Sequence, residues 1–142
     1  MKITLLKLCL VWLVLMTAEL GCCGALADVE VIVHKDVPVD TLDAAALKDL
    51  LTGKTTYWQG GAAVTIVVVA DKTDAALQEA SGMTASQFKT FWQRLAFSGR
   101  GQQPKSVDEG DKAAALVAST KGAIAIVPAG TKIEGVKKIT IK

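Results

Sequence analysis

The chain has 142 residues, with 16 basic and 14 acidic side chains and one histidine. Its net charge of +2 leaves no electrostatic footprint for nucleic acid, whose binding rests on clustered Lys and Arg. Hydrophobic residues make up 51% of the sequence, enough to build a packed core.

In chain order, residues 1–27 read as an export signal. Lys2 and Lys7 form a positive start, Leu8 to Met16 is an unbroken apolar run, and Ala25-Leu26-Ala27 is an A-x-A cleavage site. The mature chain is then expected to begin at Asp28, in the periplasm or outside the cell. The alternative is an uncleaved anchor, but the run from Leu8 to Ala18 is interrupted at Glu19, well short of the ~20 apolar residues of a span. All three cysteines, Cys9, Cys22 and Cys23, lie in this leader. Cys22 has Glu19 three positions before it and Cys23 is preceded by Cys22, so neither fits a lipidation site and a lipoprotein is not expected. The remaining 28–142 segment has no thiol, no disulfide and no Cys-based metal site. Without Lys2, Lys7 and Glu19 the 16 basic and 14 acidic side chains become 14 and 13, a net charge of +1. Its length suits one domain.

Val29–His34, rich in β-branched residues, predicts a first strand. Asp40 or Thr41 is expected to cap a helix running to Thr52, on which Leu47, Leu50 and Leu51 share a face. Gly53-Lys54-Thr55 resembles the end of a nucleotide-binding P-loop. That motif needs a glycine five positions earlier, where Lys48 stands, and a helix that begins rather than ends there. Gly53 is instead expected just past the helix end in the left-handed region, with Lys54 near the negative end of the helix dipole. Gly60-Gly61 predicts a turn. Val64–Val69 is apolar on both faces, as in a strand covered on both sides.

Thr73 or Asp74 is expected to cap a short helix ending near Gly82. Thr84 opens the clearest helix. Thr84 and Gln87 form a capping box, and Phe88, Phe91, Trp92, Leu95 and Ala96 make one apolar stripe. A loop, Ser98–Gly101, follows. Ser106 and Glu109 read as a second capping box, opening a helix that stops at Gly122. Ala123–Val127 is a short strand, and Lys137–Ile141 a last strand expected at an edge. The order predicts an α/β fold, a mixed β-sheet flanked by helices.

Three segments resemble a known family. The run from Val33 to Trp58, with Val37-Pro38-Val39, Leu42, Leu47, Leu50-Leu51, Gly53-Lys54 and Trp58, is similar to "NPVSSLSxxxLxxIFxGKxxxW" of phosphate ABC transporter substrate-binding proteins. Gly82-Met83-Thr84 through Gly101, with Gln87, Phe88, Trp92 and Arg94-Leu95, resembles "GMSxxQYxxYWxRLxFTGxG". Lys121-Gly122-Ala123-Ile124-Ala125-Ile126-Val127 resembles "PGAIGYV". The resemblance implies one lobe of a type II periplasmic binding protein, whose full members enclose an oxyanion between two lobes. This chain has length for about one of them.

Oxyanion binding needs N–H and O–H donors, favourably at helix N-termini. Phosphate sites of that family carry an Arg and a Ser-Gly-Thr-like turn after the second strand. The matching stretch here is Ala70-Asp71-Lys72-Thr73-Asp74, without the arginine. Lys72 and Thr73 are candidates for a charge and a hydroxyl, while Asp71 and Asp74 would repel a phosphate unless one accepted its proton. The plain alternative is a capped helix start. Ser98 and Arg100 are further candidates, in a Gly-rich loop whose amides can face an anion; the alternative is an exposed connection. Tyr57 and Trp58 are either a ligand platform or the cover of a core end. His34 lacks partners for catalysis or a metal.

Two functions follow from this reading. One is a solute-binding protein for phosphate or a similar oxyanion, working with an ABC transporter permease. The other is a non-transporting interaction or sensory module, built on one lobe, that meets another protein of the cell envelope. No nucleophile–base set, metal site or cofactor fingerprint is present, so neither an enzyme nor a cofactor is expected.

Overall fold

In a computed structural model, which describes residues 29–70 and 72–142, the β-branched runs pair into one six-stranded mixed sheet. The strands are β1 (Val29–His34), β2 (Thr41–Leu42), β3 (Thr65–Val69), β4 (Lys105–Val107), β5 (Ala123–Pro128) and β6 (Val136–Ile141). Their order is β2-β6-β1-β5-β3-β4. β1 runs antiparallel to β5 and β6. β3 is parallel to both β4 and β5, and β2 is parallel to β6. The leader, its cysteines, the Ala27 cleavage point and Asp71 lie outside the described residues.

The helices are α1 (Ala44–Leu51), α2 (Asp74–Ser81), α3 (Ala85–Phe97) and α4 (Gly110–Ser119). Because side chains alternate along a strand, each buried strand feeds both layers. Val31, Val33, Ile66, Ile124 and Ile126 pack with Leu47, Leu50 and Leu51 of α1, Leu77 of α2 and Phe88 and Trp92 of α3. Ile32, Val67, Val69, Ala125 and Val127 face Ala113, Ala114 and Val117 of α4. The two alanines on the α4 side of this second contact leave room for the β-branched residues of the strands. Two indole N–H groups fix the first layer, one between its helices and one to the start of β5. Trp92 Nε1 donates to Leu51 O at 3.0 Å and Trp58 Nε1 donates to Gly122 O at 2.9 Å.

Gly53 follows α1 with φ +68°, which agrees with a helix stop and not a P-loop. The α3 capping box is formed as expected. Gln87 N–H donates to Thr84 Oγ1 at 3.2 Å, and Thr84 N–H donates to Gln87 Oε1 at 3.1 Å.

Three expectations are corrected. Thr41 does not cap α1, because it pairs with Thr140 in β2; the N-cap is Asp43, without a side-chain bond. Ser106 does not cap α4 either. It sits in β4 opposite Val68, and the N-cap is Glu109, again without a side-chain bond. Finally, β6 is not at an edge, because β2 covers its outer side. In all three cases a long-range strand pairing, which the local sequence does not show, displaced a local cap or covered an edge.

Candidate functional site

A groove of about 370 Å³ runs between α3 and the edge formed by β3 and β4. Its floor includes Val68, Phe88 and Trp92. Ser86 and Lys89 project into it from the first turns of α3, Gln103 and Ser106 from the β4 side, and Asp74 from the first turn of α2. The parallel register of β3 and β4 sets Ser106 beside Val68. The helical repeat sets Ser86 and Lys89 on one side of α3. The groove therefore combines one ammonium, one carboxylate, two hydroxyls and an amide over an apolar base. No ion pair joins Lys89 or Asp74 to another described residue.

The four residues singled out from the sequence do not share one groove. Lys72 and Thr73 stand at the carboxyl end of β3, next to Asp74. Thr73 occupies the N-cap position of α2, but it is only 1% exposed and its hydroxyl donates to Val69 O at 2.8 Å. Its one O–H proton is thus spent inside the protein. Lys72 is exposed, and its backbone N–H closes a turn onto Ala70 O at 2.8 Å.

Arg100 lines a second, smaller groove of about 230 Å³, with Thr55, Thr56, Tyr57 and Gln102. This groove reaches Val64, at the start of β3 rather than its end. Ser98 is exposed at the C-cap of α3, where its hydroxyl donates to Leu95 O at 2.8 Å. At 1.5 Å of rise per residue, about 16 Å of helix separates Ser86 from Phe97, the last residue of α3. Arg100 also follows the carboxyl end of α3, where the helix dipole disfavours an anion.

Ser86, Lys89 and Gln103 were missed by the sequence reading. Ser86 and Lys89 flank Phe88 at the margin of the apolar stripe, and that position was the available signal. Gln103 carried none, because only the β4 pairing brings it to the groove. Trp58 is a core cover, 6% exposed, whereas Tyr57 is 63% exposed. His34 is buried at the end of β1 and accepts the Asp36 N–H on Nδ1 at 3.1 Å. Among the described residues no His, Cys, Asp and Glu cluster suits a metal ion, and no helix is long and apolar enough to cross a membrane.

A family model for the PBP superfamily domain matches residues 25–140. Similar folds occur in solved structures of three other proteins. One, from Clostridium perfringens, is assigned as a phosphate ABC transporter substrate-binding protein and holds bound phosphate. It is 23% identical, with a TM-score of 0.62, over 80% of this chain and 44% of that one. An ABC-type phosphate transport receptor from Vibrio cholerae is 15% identical, with a TM-score of 0.55, over 80% of this chain and 46% of its own. PstS from Borrelia burgdorferi is 11% identical, with a TM-score of 0.59, over 81% and 47%. The chain thus spans less than half the length of these structures. No curated protein matches it by sequence.

Proposed function

The chain belongs to the PBP superfamily domain family, and from that premise we propose that it is an exported solute-binding lobe taking phosphate or a similar small oxyanion. The observation that carries the reading is the α3 groove. Lys89 and the hydroxyls of Ser86 and Ser106 line one space of about 370 Å³, within the ~300–1,000 Å³ of small-ligand sites. Lys89 supplies the attracting charge and the hydroxyls the directional donors. The first turn of α3 adds the positive end of its dipole. Lys72, which lies in the chain between Ala70 and Asp74 of the groove's border, adds positive charge nearby, and Thr73 serves the fold rather than the ligand. A permease of the ABC type is the natural recipient of the bound solute. Binding and release, not catalysis, is the activity assigned.

Residues 1–27 act in this proposal as the leader, removed after Ala27. Intact-mass measurement on the exported protein is expected to show a chain beginning at Asp28. A retained leader would refute that part.

A ligand that binds only the folded form stabilises it by about 2.7 kcal/mol at a hundredfold excess over Kd. Titration calorimetry and thermal melting with phosphate, sulfate and a simple phosphonate test the reading. A saturable heat with a raised Tm for at least one of them is expected. No heat and no shift with any oxyanion at millimolar concentration would end it.

A second reading rests on the exposed aromatic surface, with Phe97 93% and Tyr57 63% exposed. In that reading the chain is a non-transporting module that meets an envelope protein. A stoichiometric protein partner recovered from envelope extract, with silence in every anion titration, would select it.

A further inference from the structure

Resting on the oxyanion reading of the α3 groove, we infer that its preferred ligand is a zwitterionic organic oxyanion, a small phosphonate or phosphate ester bearing an amino arm, and not free inorganic phosphate. Three features of the groove point the same way.

The first is size. A groove of about 370 Å³ corresponds to about a dozen water volumes at ~30 Å³ each. A bare tetrahedral anion fills a small part of it.

The second is the lining. Val68, Ala70, Ala85 and Pro104 border the groove and are only half-buried, so they still hold apolar surface to cover. Inorganic phosphate has no carbon to cover it with. A short alkyl arm does, and burial of such surface is favourable in proportion to its area.

The third is charge. Asp74 and Lys89 border the same groove from different helices, α2 and α3, and neither is ion-paired with another described residue. Against a phosphate dianion, Asp74 repels the anionic oxygens and can accept only the one remaining P–O–H proton. Against a ligand with an anionic head and an ammonium arm, both groups attract. The head then meets Lys89, Ser86 and Ser106, the carbon arm crosses the apolar border, and the ammonium reaches the Asp74 carboxylate. Asp74 then favours the amine-bearing ligand over inorganic phosphate, because it attracts the ammonium and offers phosphate no more than one proton acceptor.

The test compares three probes by calorimetry on the protein purified after expression of the full chain: inorganic phosphate, ethylphosphonate and 2-aminoethylphosphonate. The last is expected to bind about two- to fivefold tighter than either of the others, the value of one partly exposed ion pair. Asp74→Asn is expected to bring 2-aminoethylphosphonate and ethylphosphonate to parity, with a melting curve showing that the variant stays folded. Should that variant fail to fold, the ranking of the three probes on the unaltered protein still decides. Inorganic phosphate binding as tightly as 2-aminoethylphosphonate, or tighter, overturns this inference and leaves the oxyanion reading standing. Equal affinity for the two phosphonates overturns the role of Asp74. Silence with all three probes overturns the inference, and silence with sulfate as well overturns the oxyanion reading.

Discussion

Gly53 and Gly122 show how much a single atom decides in this molecule. Gly53 has φ +68°, and a Cβ there would lie 2.5 Å from Leu95 Cδ2, the end of a side chain that can turn away. Gly122 has φ +74°, and its Cβ would lie 2.3 Å from the backbone oxygen of Ala63, which cannot turn. Gly53→Ala is therefore expected to destabilise by about 1–3 kcal/mol, from the left-handed backbone plus mild overpacking. Gly122→Ala is expected to cost about 2–4 kcal/mol, because the strand start must also move. Urea melts of the two variants check both the sizes and their order; a Gly53 variant hurt more than the Gly122 one would contradict the geometry. The Gly-Lys-Thr triplet is explained at the same scale. Its glycine ends a helix against Trp92 and Leu95, and its lysine lies 3.4 Å from Asp49 on the surface.

At the scale of elements, α3 organises the groove. It carries the one complete capping box among the described helices; its rings pack on one another, Phe88–Trp92 at 6.1 Å and Phe91–Trp92 at 6.0 Å, and Phe88 and Trp92 join it to the core. Thr84→Ala removes the acceptor for Gln87 N–H and is expected to lower stability by about 0.5–2 kcal/mol. Ser106→Ala separates the two accounts of that residue. As a cap it would cost a similar amount. As an exposed residue of β4 it is expected to change stability by less than about 0.5 kcal/mol, while weakening oxyanion binding. Paired urea melts distinguish them. α3 also divides the candidate residues, with Ser86 and Lys89 at its start and Ser98 and Arg100 beyond its end. Lys89→Ala is expected to weaken oxyanion affinity about tenfold, whereas Arg100→Ala stays within about a factor of two, as befits separated sites. Calorimetry on the two variants reads the contrast, and the reverse ranking would move the site to the second groove.

As a whole, the described residues form a three-layer lobe with helices on both faces of a mixed sheet, and the Lys89 and Arg100 grooves reach opposite ends of β3. Residues outside the first groove's lining carry the exposed aromatic surface, with Phe97 93% exposed and Tyr57 63% exposed. What the sequence determined by itself was local. The α3 span and its cap, the stop at Gly53, the apolar strands β1, β3 and β5 and the sandwich class were legible because periodicity, caps and glycine conformations are energies of neighbouring residues. The family segments were legible for the same reason, as contiguous runs. Tertiary structure alone decided the rest. Thr41 became a strand residue by pairing with Thr140, and Ser106 by pairing with Val68. β6 gained an outer partner, and Asp74, Lys89 and Gln103 came to one groove while Arg100 was left in another. Strand partners and groove walls are chosen by contacts between segments distant in the chain, and their energies leave no mark on either segment read alone.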